Sequence, residues 1–270
     1  MGGLAFIIAI LIVLLLFLPL GVDLRLSELL IILLYILLGG AIGAIDDSVK
    51  MLKKQNEGIS AFSKFLLQLG AASVFIILMR VNGYLSTDIY IPFLGVSIDL
   101  GRLYYPFALV FLCGFSNAVN LTDGLDGLCS SVTAIVSVFF AILAIQYADN
   151  ESLIISLALI GICFGFLIFN FHPAKIFMGD TGSLFLGSAV GALSIVSAKN
   201  TVLFLVGIMY LIEAGSVILQ VLYYKATKKR LFLMAPIHHH LEKKGMGEIS
   251  ITFLFSAVTA LFSLIAFFLA

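Results

Sequence analysis

The sequence predicts an all-α polytopic integral membrane protein: one transmembrane domain over residues 1–270, about nine transmembrane helices and a small outer-face hairpin. Three observations predict it. Apolar residues make up 62% of the chain and charged residues 11%, with a mean hydropathy of +1.19. Soluble domains run at about 45–50% and about 25%. The apolar residues fall in continuous runs near the ~20 that cross a bilayer core, not in the alternation of barrel strands. The charges cluster at the ends of those runs. This excludes a soluble enzyme and a disordered chain. The 15 basic and 15 acidic residues cancel, which excludes nucleic acid as a partner, because that would need a basic excess.

The runs are taken in chain order. The first, 4–20, follows Met1-Gly2-Gly3 with no basic residue ahead of it, so it does not read as a signal peptide. Phe6 stands where a myristoylation signal needs Ser or Thr. Next come 28–45 and 64–81, a short run at 105–119, then 128–147 and 152–170, a second short run at 183–197, and finally 201–222 and 249–270. Between the third and fourth, Asp88–Leu100 alternates on either side of Leu94-Gly95, as a hairpin capping the outer surface would. Cys113, Cys129 and Cys163 sit in or beside apolar runs with no metal-like spacing and read as small buried hydrophobes. One set of alternate loops holds 11 of the 15 basic residues, from Lys50 to Lys244, and the other holds Arg25, Arg80, Arg102 and Lys199. Basic residues concentrate on the cytoplasmic side, so the first set faces the cytoplasm and the N-terminus lies inside.

Chemistry concentrates on that inner side. Charges beside spans are costly and usually have a reason. Asp46-Asp47-Ser48-Val49-Lys50 ends the second run, with Lys50 on the helical face of Asp46. Adjacent carboxylates raise each other's pKa unless a cation is near, although alone such a pair is more often an ordinary charged helix end. Asn117, Asn120, Asp123 and Asp126 step by three and would form one polar stripe on a helix, with Gly124 and Gly127 beside it. Such a stripe suits hydroxyls, a base edge or a metal. Asn170 to Ser183 contains Gly179-Asp180-Thr181-Gly182, which opens the next run. A helix start favours phosphate, and Asp180 could hold Mg²⁺ or simply cap the helix. His238, His239 and His240 are consecutive, point in different directions and make a poor zinc site, but imidazoles can donate to phosphates. The neighbouring Lys225, Lys228, Lys229 and Arg230 read first as topology determinants. Glu213, inside the eighth run, is either a functional intramembrane acid or a helix-packing partner.

Together, Asp46-Asp47-x-x-Lys50, Asn117 to Asp126, Asn170 to Ser183 and Ala235-Pro-Ile-His-His-His-Leu-Glu242 resemble the polyprenyl-phosphate N-acetylhexosamine-1-phosphate transferases. The resemblance covers the whole chain. The histidine loop is similar to that of the branch acting on UDP-N-acetylmuramoyl-pentapeptide. The resemblance implies transfer of phospho-N-acetylmuramoyl-pentapeptide from that donor to undecaprenyl phosphate, with release of UMP. It also implies Mg²⁺, a homodimer, a site on the cytoplasmic face of the bacterial inner membrane, and a lipid groove along a bent helix, here Thr201–Leu222.

By the same resemblance, Asp180 matches a Mg²⁺ ligand, Asp46 a general base or nucleophile, and Asp47 its neighbour near the metal and lipid phosphate. Asn170 matches a residue at the diphosphate and metal. Asn117, Asn120, Asp123 and Phe177 match a uridine pocket, with Phe177 stacking on the base. Asp126, Gln220, His238, His239 and His240 match residues around the sugar phosphate. Lys50 and Lys64 match lysines that offset phosphate charge. Family members have ten helices, with Thr-Pro-Thr-Met-Gly-Gly leading into the second. This chain starts at Met1-Gly2-Gly3, so its nine runs are expected to be the second through tenth, and an inactive truncated form is one alternative. Another is a sister enzyme using UDP-N-acetylglucosamine, against which the histidine loop argues. An ion-coupled transporter would need ionisable groups at mid-membrane, where only Glu213 stands.

Overall fold

The computed structural model describes residues 2–17, 23–55, 57–197 and 199–269. The apolar runs become helices: α1 (Leu4–Phe17), α2 (Leu26–Lys53), α3 (Ala61–Val81), α4 (Tyr104–Thr122), α5 (Leu128–Tyr147), α6 (Asn150–Asn170) and α7 (Gly179–Val196). These are followed by the short α8 (Leu203–Val206), then α9 (Ile208–Thr227), α10 (Ile237–Lys243) and α11 (Glu248–Leu269). Local capping sets several starts. The Ser60 side chain accepts from the Ser63 amide at α3, and Asp149 from the Ser152 amide at α6.

Among the described residues, seven helices are long and apolar enough to cross a membrane, or eight if the bent pair Asn200–Val206 and Ile208–Thr227 counts as one span. This differs from the expected nine for two reasons. The first run forms a helix of 14 residues, and residues 18–20 of that run lie outside the described residues. The eighth run is not one rod but turns by 74° at Gly207. A Cβ there would stand 2.8 Å from the Leu203 carbonyl and 3.1 Å from the Phe115 ring. The bend implied by the resemblance is therefore present.

The hydrophobic cluster is organised around α7, the most enclosed span, with 83% of its apolar window buried. Helices α2 and α4 pack along it. The α2–α7 seam depends on small residues. A Cβ on Gly43 would lie 2.1 Å from the Asp180 carbonyl oxygen, and one on Gly39 would lie 2.1 Å from Ser188 Oγ. Backbone therefore meets backbone at that seam, which sets the C-terminal part of α2 directly beside the first turn of α7.

Strands β1 (Asp88–Ile91) and β2 (Val96–Asp99) pair antiparallel, from Asp88 opposite Asp99 to Ile91 opposite Val96. Gly95 takes a positive φ of 63° in the turn between them. Asn200 fastens this hairpin to the bundle. Its side chain accepts from the Tyr90 amide at 3.1 Å and donates to the Asp88 carbonyl at 2.6 Å. Lys199 Nζ lies 3.6 Å over the Tyr90 ring, and the Tyr90 hydroxyl donates to the Leu269 carbonyl. The hairpin thus occupies the end of the bundle where α7 and α11 finish, opposite the end where α2 finishes and α7 begins.

Candidate active site

Four helices bring polar side chains to that opposite end. The last turns of α2 supply Asp46, Asp47 and Lys50, α3 supplies Lys64, α4 supplies Asn120, and α7 supplies Asp180, Thr181 and Ser183. Asp46 is 3% exposed. Its Oδ1 accepts from the Ile59 amide at 2.9 Å, and its Oδ2 lies 2.7 Å from Lys50 Nζ. Lys50 also reaches Asp180 Oδ2 at 2.9 Å, and Lys64 reaches the same oxygen at 2.6 Å. Lys64 is 3.9 Å from Asp46 as well. Two lysines therefore bridge two carboxylates from different helices. Asn120 Nδ2 donates to Asp180 Oδ1 at 3.2 Å and to Ser183 Oγ at 3.0 Å.

Asp47 has a different task. It accepts from the Asp180 amide at 3.1 Å, the Thr181 amide at 3.0 Å and the Thr181 hydroxyl at 2.6 Å. A carboxylate from α2 thereby caps the positive end of α7. Gly179 makes this possible. Its φ is +67°, and a Cβ there would stand 2.7 Å from Asp47 Oδ2. Ligand atoms of Asp46, Asp47 and Asp180 all lie within 4.8 Å of one another. Three hard carboxylate donors converging in this way fit a small divalent cation such as Mg²⁺. Asp123 follows the end of α4. Desolvation, reinforced by the Asp180 and Asp47 charges, pushes its carboxyl up to about 7.

The structure brings together Asp46, Asp47, Lys50, Lys64, Asn120 and Asp180, with Asp123 in electrostatic reach. The other expected site residues make their contacts outside this cluster. The four-residue stripe does not continue as one helix face. α4 ends at Thr122, and the turn through Gly124 to Gly127, the latter at φ +73°, swings Asp126 away. Asp126 Oδ2 instead meets His172 Nδ1 at 3.0 Å and the Ala174 amide at 2.9 Å. Asn117 pairs with Gln68, donating to its Oε1 at 2.8 Å. Asn170 is buried with both ends of its amide on backbone. It accepts from the Gly127 amide at 3.1 Å and donates to the Ile176 carbonyl at 2.9 Å, and so joins the α4–α5 and α6–α7 loops. The Phe177 ring is 67% exposed, free to take a flat partner.

In the histidine segment the three side chains take different partners, but they do not all point apart as expected: the ring centroids of His238 and His239 are 4.2 Å from each other. His238 is buried with Nδ1 3.0 Å from Glu213 Oε2. His239 Nδ1 is 3.0 Å from Glu242 Oε2, and His240 Nδ1 accepts from the Leu233 amide at 3.1 Å. Gln220 Oε1 accepts from the Leu231 and Phe232 amides at 3.1 and 2.8 Å, tying α9 to the loop before α10. Two clefts flank α9. One, of about 770 Å³, includes Val217, Tyr224, Lys225, Lys228 and Arg230, and the other, of about 470 Å³, includes Phe111, Phe115 and Ala214.

Some residues of the cluster were not expected from the sequence. Thr181 and Ser183 lie inside a motif that was singled out, but their pairing with Asp47 and Asn120 depends on α2 and α4, far away in the chain. The Ile59 amide on Asp46 and the Gln68–Asn117 pair carry no local signal at all.

A helical membrane bundle whose acidic and basic side chains gather at one end, around a helix start, describes a membrane-embedded transferase acting on phosphate. The comparisons agree. The profile of glycosyl transferase family 4 matches residues 29–198. The phospho-N-acetylmuramoyl-pentapeptide-transferase of Clostridium kluyveri is 42% identical over 269 residues, covering 99% of this chain and 83% of the relative. Those of Clostridium perfringens strain 13 and Halalkalibacterium halodurans are each 43% identical. They cover 98% and 100% of this chain and 82% of each relative. The chain belongs to glycosyl transferase family 4, on its phospho-N-acetylmuramoyl-pentapeptide-transferase branch.

Proposed function

We propose that this protein transfers phospho-N-acetylmuramoyl-pentapeptide from its UDP carrier to undecaprenyl phosphate, giving the lipid-linked product and UMP. The observation that carries this is the cluster in which Lys50 and Lys64 bridge Asp46 and Asp180, in a chain similar along nearly its whole length to transferases of that name. In the reaction an oxygen of the lipid phosphate attacks the sugar-side phosphorus of the donor. The bond from that phosphorus to the bridging oxygen breaks, and its electron pair leaves with UMP.

Both partners are anions, so charge is the main obstacle. Lys50 and Lys64 stand where they can neutralise phosphate oxygens. Asp180, with Asp46 and Asp47, would hold Mg²⁺, which when bound supplies further charge neutralisation at the diphosphate. Asn120 orients Asp180, and Asp47 holds the first turn of α7 so that Asp180 faces the lysines. A phosphate monoester has a second pKa of about 6 and is mostly dianionic at neutral pH, so proton removal by Asp46 is a modest contribution and direct attack is the simpler route. The exposed Phe177 ring suits stacking on uracil. The clefts on either side of α9 suit an isoprenoid tail, with Lys225, Lys228 and Arg230 near its charged end. The site faces the cytoplasm of the bacterial inner membrane, because the loops at this end carry most of the basic residues.

The test is UMP release by purified protein with undecaprenyl phosphate and Mg²⁺, using UDP-N-acetylmuramoyl-pentapeptide and UDP-N-acetylglucosamine in parallel. Release with the muramoyl donor alone is expected. Release with the glucosamine donor alone would move the protein to the sister activity, and release with neither would remove the enzymatic reading.

A further inference from the structure

Glu213 has no part in the scheme above, yet it is the acid the bundle encloses most completely. It lies in α9 beyond the bend at Gly207 and is 0% exposed, and His238, on α10, is 1% exposed. His238 Nδ1 is 3.0 Å from Glu213 Oε2. The contact is a close approach of two ionisable groups and not an aligned hydrogen bond: among the described residues neither oxygen of Glu213 and neither ring nitrogen of His238 has a hydrogen-bond partner. An apolar pair of similar volume would fill this space at lower electrostatic cost. A buried carboxylate facing an imidazole does what an apolar pair cannot. It attracts the ring across a low-dielectric contact and so sets where the imidazole sits.

The far side of that ring has one neighbour that matters. A Cβ built on Gly124 would stand 2.2 Å from His238 Nε2, so the imidazole seats against the bare backbone of the α4–α5 turn. Gly124 follows Asp123, which feels the charges of Asp180 and Asp47. His239 and His240 continue from His238 along α10. The buried pair therefore stands at a three-way junction of α9, α10 and the Asp123 turn.

We propose that Glu213 is a positioning residue, which through His238 holds α10 and the Asp123 turn at one spacing across the donor site. This deepens the proposed function and rests on that reading together with the donor lying between those two elements, as the resemblance implies for Asp123 and His238–His240. Losing the pair loosens both walls of the donor site. The acceptor, which lies along the lipid-facing sides of α9, is affected less.

The experiment compares Glu213→Gln, Glu213→Ala, His238→Ala and the double alanine variant of the full chain in detergent. Kinetics are run with UDP-N-acetylmuramoyl-pentapeptide and undecaprenyl phosphate varied separately, and hydrogen exchange is followed over 123–127, 237–243 and 46–64. Glu213→Ala is expected to raise the donor KM by about tenfold and to leave the acceptor KM within about twofold. Glu213→Gln, which keeps the shape and a polar oxygen facing Nδ1, is expected to stay within about threefold of wild type, and the double variant to be no worse than the worse single variant. Exchange should quicken over 123–127 and 237–243 in the alanine variant, but not over 46–64.

Proportional losses with both substrates, a glutamine variant as poor as alanine, additive losses, or unchanged exchange in both wall segments would each overturn the proposal. Should the alanine variant fail to fold, Glu213→Leu fills the same space without the acceptor and takes its place. A wild-type protein with no transferase activity would sink the proposed function instead, and the exchange comparison would still decide the positioning role.

Discussion

Asp46 and Asp180 come from helices far apart in the chain, yet they share Lys50, and that sharing defines their chemistry. Removing either carboxylate leaves two partly buried lysines to share one remaining counter-charge and removes a candidate metal donor. Asp46→Asn and Asp180→Asn are each expected to abolish UMP release while the protein still purifies as a folded species, and a wild-type-like rate in either variant would take that residue out of the mechanism. Asp123 gives a pH signature. Burial and the Asp180 and Asp47 charges push its carboxyl up to about 7, above the ordinary aspartate range, so the folded state holds the proton where the unfolded state has released it. The stability this group contributes is complete below the unfolded pKa and is lost as pH rises through about 7. Thermal unfolding of the metal-free protein should therefore fall with pH across that window, and Asp123→Asn should flatten the slope. An equally steep slope in that variant would assign the effect to other groups.

At this scale the sequence was informative about residue type and less so about partners. Asp46 with Lys50, four apart on one helical turn, was readable from spacing alone. Lys64 on Asp180 and Asn120 on Ser183 were not, because each needs two helices to be docked. Asn170 shows the converse. It belongs to a motif tied to the diphosphate by resemblance, while its side chain spends both ends on the backbone of Gly127 and Ile176.

Among the elements, the α2–α7 seam governs the site. Asp46 and Asp47 face Asp180 only because Gly43 lets α2 lie against the Asp180 carbonyl. Gly43→Ala would force backbone apart and is expected to destabilise the protein by about 1–3 kcal/mol, despite the small gain in helix propensity. Its signature is a lower unfolding temperature together with reduced turnover, whereas Gly70→Ala, with nothing within 4 Å of its Cβ, should leave both unchanged. A Gly43→Ala protein with normal turnover would show that the seam does not set the site.

The helices themselves were legible in the sequence, because an apolar run in a bilayer has few alternatives to a helix. Their ends were less so. The stripe from Asn117 to Asp126 has helical spacing throughout, yet α4 ends at Thr122 and the chain turns from Asp123 to Gly127. The eighth run looks uniform, and only the crowding of Gly207 against Leu203 and Phe115 shows why it turns.

Over the whole molecule, the two ends of the bundle differ in kind. One end carries Asp46, Asp47, Asp180 and the lysines that pair with them, and the other the hairpin clamped by Asn200 and Lys199. The asymmetry of basic residues gave this polarity from sequence, and the folded chain agrees by placing Asp46 and the hairpin at opposite ends. Single cysteines at Leu94, 68% exposed in the hairpin, and at Lys229 should react from opposite sides of the membrane with an impermeant maleimide. Leu94→Cys should label in intact spheroplasts, and Lys229→Cys only after lysis. The native thiols at Cys113, Cys129 and Cys163 are free but buried, so they leave the background quiet. Labelling of both positions from the same side would overturn the assigned orientation.

The same arrangement bears on how the protein should be handled. The Gly2 and Gly3 amides donate to the carbonyls of Phe177 and Met178, and Gly3 packs on the Gly182 backbone. The amino end is thus stitched to the strand of chain that delivers Asp180. An affinity handle, reporter or immobilising linker attached there pulls on that chain and sits beside the Phe177 ring. Attached beyond Leu269, it hangs from the hairpin end, a full membrane thickness away from the chemistry. For surface-captured binding assays, a linker at Leu269 leaves the site undisturbed and one at Gly2 does not.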